Sequence, residues 1–585
     1  MKESNNESLE NLRHSASHLL AAAVMELWPD TKRTIGPAIE TGFYYDFDFS
    51  KPISDSDLPA IEKKMHELVK SWKRFERKEV SASDAKKEYQ GNPYKLELID
   101  EFSKDGQKLT FYTSGDYTDL CRGGHCEHPS KDLKHFKLMS IAGAYWRGSE
   151  KNQMLTRIYG TAFPSKKELD DYLAMLEEAK KRDHRKLGAE LELFMFHETS
   201  PGSPYWLPKG LVLINELVQF WREEHRMRGY QEIASPLVNK RELWQISGHW
   251  DHYKGDMFIA TMGENEVYGL KPMNCPNAMI VFASKTRSYK DLPLRLSDTD
   301  ILHRYELSGT LGGLLRARSF RQDDSHNFVT EDQIADEYER IFEIAERFYG
   351  VFKLQFRYRL GTRPEKFLGD AATWDRAEKA LTSILDKKVG TGKYEIAEKD
   401  GAFYGPKVDI IMKDALGRDW QMGTIQLDFQ QPQRFGLKYT APDGTAKTPI
   451  AIHRVIYGSL ERFIGIITES FAGSFPLWLS PEQVRIAVVG KDHRAFCHDY
   501  ARTLMQAGIR VTVDDSNETV GNKIRKASNE KIPFTLVIGD KEMKSEELAV
   551  RTRGAKDVVP TTRDRFISML QQKIADRAID LTPLP

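Results

Sequence analysis

Cysteine is scarce in this chain: 585 residues carry only Cys121, Cys126, Cys275 and Cys497. So sparse a set argues against a disulfide framework and for a reducing compartment, with the cytoplasm as the expected location. Net charge is absent too, with 86 Lys and Arg against 86 Asp and Glu. The whole-chain balance therefore lacks the polybasic signal of many nucleic-acid binders, and composition alone suggests neither RNA nor DNA. No run approaches the ~18 apolar residues that a membrane-spanning helix needs, so no membrane span is expected. The short apolar stretch Leu19 to Met25 follows an acidic, Asn-rich start rather than a basic one, and reads as a helix face instead of a signal peptide. Low-complexity tracts and fixed-period repeats are missing as well.

What is present is enough chain for several cores. At ~100–200 residues per domain, the length implies three or four domains in a soluble α+β protein. Residues 1–163 mix strand-like runs such as "FYYDFDF" and "KLTFYT" with helical segments, an α+β pattern. Residues 164–183 read as a charged linker helix. Ser165 is a suitable N-cap with Glu168 three residues on, Leu169, Tyr172, Leu173 and Leu176 recur at helical spacing, and Gly188 is expected to end the run. Strands between helices fill residues 184–476. From 477 to 585 a regular alternation begins, strand "VRIAVVG", helix "HRAFCHDYARTLMQAG", strand "IRVTVDD", helix "VGNKIRKASNEK", strand "FTLVIGD", then "LAVRTR" and a last helix, which predicts an α/β domain.

Three constellations carry chemistry. "HSASH" places His14 and His18 on one helix face, and "CRGGH" places Cys121 and His125 about a Gly-Gly turn. These four side chains suit either a zinc shell or a hydrolytic centre, and spacing does not choose between them. The second, "ILHRYELSGTLGGLLRARSFRQDDSHNF", holds Arg304, Arg316 and Arg318, whose planar forks fit phosphate or carboxylate, and Glu306, which can accept from an adenine amino group. A plain β-hairpin with a charged face would show the same pattern. In the third, "AIHRVIYGSLERFIGIITE", Arg462 sits among core-facing Leu460, Phe463, Ile464 and Ile466, where a guanidinium needs an anionic partner such as a triphosphate.

Together these segments resemble the class II aminoacyl-tRNA synthetases. Pro236 in "IASPLVNKRELWQISGHW" is similar to the first class motif, "HRYE" through "FRQDDSH" to the second and "GSLERF" to the third. "KPMNCP", "AGAYWRG", "LTRIYGTAF", "DGAFYGPK" and "WQMGTIQLDF" narrow the resemblance to the threonyl-tRNA synthetase family, across essentially the whole chain. The resemblance implies an editing domain over 1–163, an antiparallel-sheet catalytic domain over 184–476 and an anticodon-binding domain over 477–585. It further implies activation of L-threonine with ATP and Mg²⁺, transfer to tRNA(Thr), hydrolysis of mischarged seryl-tRNA(Thr), and a homodimer formed through the first motif.

Residue by residue, the resemblance implies a single Zn²⁺ held by Cys275, His326 and His453. It puts Arg304, Glu306, Arg316, Gln421, Thr424 and Arg462 around ATP, and Met273, Asp324, Tyr404, Gln426 and Ser459 around threonine. Lys407 joins the catalytic set, and His249 is expected near the terminal ribose of the tRNA. For editing it implies His14, His18, Lys95, Asp119, Cys121 and His125, working without zinc, and for anticodon reading Glu542 and Arg551. Because His14 lies near the start of the sequence, the small ubiquitin-like domain that precedes the editing domain in many relatives is expected to have no counterpart. Two other outcomes compete, an RNA-binding regulator that does not charge tRNA, disfavoured by the intact arginines and ligand residues, and a stand-alone deacylase, which threonine-dependent ATP–pyrophosphate exchange would separate from a synthetase.

Overall fold

Alternation of apolar and polar side chains along the strands decides how this chain layers. The computed structural model describes residues 2–263, 266–414 and 417–582, with side chains from Glu7 onward. The described residues fall into two compact units, Met1–Glu177 and Glu178–Pro585. Among them no helix is long and apolar enough to cross a membrane.

In the first unit the helix Lys2–Leu27 turns Leu12, Ala16, Leu19, Leu20 and Ala23 into a core shared with Phe43, Tyr45 and Phe47 of the strand Gly42–Asp48. These apolar positions recur at i, i+4 and i+7, the spacing of one helix face. The sheet they cover runs Lys32–Arg33, Gly42–Asp48, Met154–Phe163, His135–Tyr145, with Ala38–Ile39 paired on the second strand. A smaller sheet, Glu76–Glu79, Thr110–Ser114 and Tyr117–Leu120, packs on helices Ala82–Glu88 and Pro93–Lys104 through Ala85, Ile99 and Phe111.

The linker helix begins as predicted. Ser165 Oγ accepts from Glu168 N–H at 3.3 Å while Glu168 Oε2 accepts from Ser165 N–H at 3.1 Å. It does not run to Gly188. The helix is Lys166–Arg182, and Asp183 caps a second one, His184–Glu190, by accepting from Arg185 N–H at 2.8 Å. Gly188 lies inside that second helix because Phe194 packs where its side chain would be, 2.4 Å from a built Cβ, so close approach and not a stop explains this glycine.

The second unit is built on an eight-stranded sheet in the order Gln231–Glu232, Leu294–Asp298, Asp324–Val329, Ile450–Val455, Asp419–Asp428, Lys407–Lys413, Phe356–Gly361, Glu395–Ala397. All neighbours are antiparallel except the two outermost pairs. Val408, Ile410, Ile425, Leu427, Ile450 and Ile452 point to one face, under helices Pro208–Met227, Ile334–Val351 and Leu460–Ser470. Their alternates Lys407, Asp409, Thr424, Gln426, His453, His326 and Asp324 share the opposite face, part of which is roofed by helix Cys275–Ala283 through Ala278, Met279 and Phe282 against Leu294, Leu296 and Phe328.

The C-terminal sheet runs Val511–Asp514, Val484–Val488, Phe534–Ile538, Glu547–Thr552, Val558–Thr562, the first three parallel and the last two antiparallel. Helices Arg494–Gln506, Val520–Asn529 and Arg563–Ala575 match the predicted alternation. The strand Val558–Thr562 and the short helix Asp540–Lys544 were not foreseen. Pro560 argues against a central strand, and the chain tolerates it because this strand is the sheet edge.

One backbone crossing holds the catalytic-side loops. Buried Asp323 accepts from Ile456 N–H at 3.0 Å and from Gly458 N–H at 3.0 Å. Gly458 has φ +76°, and a Cβ there would stand 2.1 Å from Met422 O. Gly458→Ala is therefore expected to destabilise the chain by about 1–3 kcal/mol, measured as a lowered unfolding midpoint. An unshifted midpoint would contradict the close approach.

Candidate active site and a second cavity

The polar face of the eight-stranded sheet opens into a cavity of about 430 Å³. Three of its lining groups converge: the donor atoms of Cys275, His326 and His453 lie within 4.8 Å of one another. His326 and His453 are directly opposed on neighbouring strands, and Cys275 begins the helix that roofs them. The residues are 3%, 1% and 5% exposed. His453 Nε2 meets Asp428 Oδ2 at 2.8 Å, which leaves Nδ1 for the cavity. His326 Nδ1 is buried with no partner among the described residues. Burial, then Asp324 and Asp428, push the Cys275 thiol well up, and burial with His453 and Arg454 keeps the His326 imidazole neutral. A thiol, two imidazoles and a carboxylate behind one of them fit a Zn²⁺ site, and a divalent cation held there would supply the charge that lets the thiol ionise.

Beside this triad Asp324 accepts from Asn274 Nδ2 at 3.1 Å, and burial raises its carboxyl to about 6. Asp298, opposite it on the next strand, is pushed up as well by burial and by Asp324. An ammonium group is the natural complement of such a pair. Tyr404 Oη donates to Gln426 Oε1 at 2.6 Å, and Met273 closes the same end.

The other end is positive. Arg304, Arg316 and Arg462 all line the cavity, with Glu306 bonded to Arg316 Nε at 2.8 Å. Arg462, for which an anionic partner such as a triphosphate is expected, bonds backbone carbonyls within the chain. Its Nε and Nη1 donate to the carbonyls of Leu315 and Gln421 at 2.8 and 3.0 Å, and burial with Arg304 and Arg316 nearby lowers its pKa. Three guanidiniums sharing the single carboxylate of Glu306 leave an excess of positive charge, which defines an anion site. Gln421, Thr424 and Ser459 complete its lining. Ser459 also caps the helix by accepting from Arg462 N–H at 3.2 Å.

Three sequence-derived candidates stand elsewhere. Lys407 does not line the cavity: its Nζ lies 3.1 Å from both Asp400 and Asp409, which neutralise it. His249 is fully buried behind Met273, with Nε2 2.9 Å from Met273 Sδ and Nδ1 2.8 Å from Ser247 Oγ. Its Nε2 is also 3.9 Å from Cys275 Sγ, so as placed it faces no open ribose site, and burial lowers its pKa to about 3. Arg318 turns from the phosphate end and donates to Glu306 O at 2.8 Å and Pro201 O at 3.4 Å, which shapes the loop instead. Asp428 and Asn274, which orient the triad and Asp324, were missed. Their only signal was a polar residue at the edge of an apolar segment.

The first unit has its own cavity, about 360 Å³, lined by His14, His18, Lys95, Asp119 and Cys121. The glycine turn works as predicted, Gly123 and Gly124 taking φ +104° and +81°. The donor atoms of His14, His18, Cys121 and His125 lie within 4.8 Å of one another. His14 Nδ1 donates to Gly124 O at 3.0 Å, so its Nε2 is the free acceptor 3.5 Å from Cys121 Sγ. Ser15 Oγ gives its proton to Asn11 O at 2.8 Å and accepts from His125 Nδ1 at 3.2 Å, which leaves His125 Nε2 facing the same sulfur at 3.3 Å. Burial pushes the thiol up to about 11 and His125 down to about 3. The cluster is thus neutral, with a thiol donor between two imidazole acceptors.

Asp119 anchors this cavity. It is 2.7 Å from Lys95 Nζ and accepts from Tyr45, Tyr89 and Tyr117 at 2.5, 2.8 and 2.9 Å. Burial alone would raise its pKa, but Lys95, Arg33 and His18 hold it well below the carboxylate range. Glu542 and Arg551 sit in the C-terminal domain on the helix Asp540–Lys544 and the strand Glu547–Thr552. Glu542 accepts from Gly539 N–H at 3.1 Å, while Arg551 is exposed.

An antiparallel sheet whose polar face gathers motif arginines at one end of a cavity defines the chain as a class II aminoacyl-tRNA synthetase. Family models agree: residues 258–471 match the tRNA synthetase class II core domain (G, H, P, S and T), 483–573 an anticodon binding domain, and 109–159 the threonyl and alanyl tRNA synthetase second additional domain. A threonine–tRNA ligase of Acetivibrio thermocellus is 50% identical over 567 residues, 97% of this chain and 88% of that protein. One of Thermotoga neapolitana is 49% identical over 98% of this chain and 90% of its own length. The RNA-binding domain of threonyl-tRNA synthetase from Cryptosporidium parvum superposes with a TM-score of 0.65 at 40% identity, covering 68% of this chain and 99% of that structure. The chain belongs to the threonine–tRNA ligase family.

Because the pKa of Asp119 is depressed on folding, its stabilisation is present above the unfolded value near 4 and is lost as pH falls below it. Asp119→Asn is expected to cost about 3–5 kcal/mol at pH 7, where Lys95 and Arg33 lose their counter-charge. The deficit should shrink at pH 3 in urea unfolding. A deficit equal at both pH values would show that the carboxylate charge is not the cause.

Proposed function

We propose that the larger cavity joins L-threonine to ATP and that the smaller one hydrolyses seryl-tRNA(Thr). The family activity is ligation of threonine to its tRNA, with an editing domain in the same chain. The observation that carries the assignment is that one cavity holds the Cys275–His326–His453 triad, buried Asp324 and three arginines in succession.

Threonine lies with its amino group donating to Asp324 and its side chain toward the triad, with Met273, Tyr404, Gln426 and Ser459 enclosing it. Arg304 and Arg316 neutralise the phosphates beside a Mg²⁺ carried in with ATP. Glu306, Gln421 and Thr424 place the adenosine, and Arg462 faces the far end of the triphosphate. In activation the threonine carboxylate oxygen forms a bond to the α-phosphorus and pyrophosphate leaves. The arginines stabilise the charge that builds on the phosphate, so positioning and electrostatics supply the rate. In transfer the terminal ribose hydroxyl of tRNA attacks the acyl carbon and AMP leaves.

Cys275, His326 and His453 would hold a Zn²⁺, which, when bound, offers coordination to the amino and hydroxyl groups of threonine that valine cannot use. A site that requires a hydroxyl rejects an analogue lacking it by about 10⁴–10⁵, whereas a methylene is worth only ~1–3 kcal/mol. Serine keeps the hydroxyl, so serine errors need a second site. There His14 and Lys95 position the water that attacks the seryl ester, and Asp119, Cys121 and His125 narrow the pocket against threonine.

We assign residues 1–163 to editing, 184–476 to catalysis and 477–585 to anticodon binding, where Glu542 and Arg551 read bases. A homodimer through the Pro236 segment is supported by Met227, Leu237 and Val238, left 71%, 37% and 50% exposed.

Purified enzyme is expected to carry one zinc per chain by metal analysis, and Cys275→Ala to lose both the metal and threonine-dependent ATP–pyrophosphate exchange. Full exchange by metal-free enzyme would refute the metal's role. His14→Ala or Cys121→Ala should slow seryl-tRNA(Thr) deacylation by about 10²-fold or more while threonine charging is unchanged. Normal deacylation by both variants would remove the editing assignment.

A further inference from the structure

His184 belongs to neither cavity, yet it is 2% exposed and fully bonded. Its Nε2 accepts from Leu314 N–H at 3.1 Å, so that nitrogen carries no proton. Nδ1 then carries it and donates to Glu469 Oε1 at 2.7 Å, an oxygen that also accepts from the His184 backbone N–H at 3.3 Å. The ring is thereby fixed in one tautomer, with a single acceptor aimed at a single backbone donor.

Both anchors lie on the elements that carry the cavity arginines. Leu314 is in the turn that presents Arg316, a turn closed by Gly312 N–H to Arg316 O at 3.2 Å and Leu315 N–H to Gly312 O at 3.1 Å. Glu469 is on the helix Leu460–Ser470 that carries Arg462, two turns further along the same face. Arg462 itself donates to Leu315 O at 2.8 Å. The contacts form a closed circuit from His184 to Leu314, through Leu315 to Arg462, down the helix to Glu469 and back to the imidazole. Gly313 lets the turn lie directly on the ring: it has φ +61°, and a built Cβ would stand 2.5 Å from His184 Nε2.

We propose that His184 is a positioning residue for ATP, its Nε2 holding the 312–316 turn so that Arg316 and Arg462 face the triphosphate together. This rests on the assignment of those two arginines to ATP. The role belongs to Nε2, because Nδ1 and Glu469 only orient the ring.

Glutamine and asparagine separate the two nitrogens, since Gln places an amide near Nε2 and Asn near Nδ1. In threonine-dependent ATP–pyrophosphate exchange, His184→Asn is expected to raise the KM for ATP about three- to tenfold, the usual effect of losing one hydrogen bond, with the KM for threonine unmoved. His184→Gln should stay within about twofold of the parent. Arg316→Ala serves as the comparator, and its effect should be less than additive with His184→Asn because both act through one turn. The proposal is overturned if Gln and Asn behave alike, if both KM values move together, or if the double variant is additive. If Arg316→Ala and Arg462→Ala leave the KM for ATP unchanged, it is the arginine assignment that fails instead.

Discussion

The registration of the antiparallel ladder is the constraint on which the catalytic side of this chain depends. His326 is opposite His453, His453 is opposite Gln426, and Gln426 is opposite Lys407, so four polar residues from four strands form one row across the sheet. A slip of one residue in any pair would send its member to the far face, among Ile425, Ile452 and their helices. The apolar alternates that pack on those helices therefore set the geometry of the polar row. Cys275 can complete the triad only because Ala278, Met279 and Phe282 seat its helix on the other side of the same strands.

Charge is arranged along the cavity with the same economy. At one end, burial pushes the carboxyls of Asp324 and Asp298 up, leaving them short of positive charge; at the other, Arg304, Arg316 and Arg462 share the single carboxylate of Glu306 and are short of negative charge. An amino acid and a triphosphate supply both deficits at once, and no group between them has to act as acid or base. The first unit solves a different problem. The histidines and thiol of its cavity are neutral, and the charge pair beside them, Lys95 with Asp119, is locked by three tyrosine hydroxyls. That setting suits a hydrolytic step in which water must be oriented beside an uncharged ester, and it gives no footing for a triphosphate.

Arg462 shows how far local reasoning reaches. A guanidinium on an apolar helix face signals an anion, and the cavity bears out the positive surroundings, but the nearest partners are carbonyls of Leu315 and Gln421 from two other segments. Lys407 shows the limit. Resemblance alone puts it in the catalytic set, while Asp400 and Asp409 neutralise it across a turn and the next alternate position. Gly188 failed as a helix stop for a similar reason, since the ring of Phe194 and not the backbone required it.

By itself the sequence determined the alternation of the strands, the cap at Ser165, the facing pair His14 and His18, the glycine turn at Gly123 and Gly124, and, through resemblance, the family. Each of these is a local pattern whose physics acts over a few residues, or a wording long enough to be specific. Cys275, His326 and His453 could be named together only through resemblance, and tertiary structure alone decided that Asp428 backs one of them, that His249 is walled off by Met273, and that His184 joins two arginine-bearing elements. Those contacts span up to 285 residues of chain, as between His184 and Glu469. Nothing in the spacing of residues so far apart encodes a meeting that strand order and helix packing bring about.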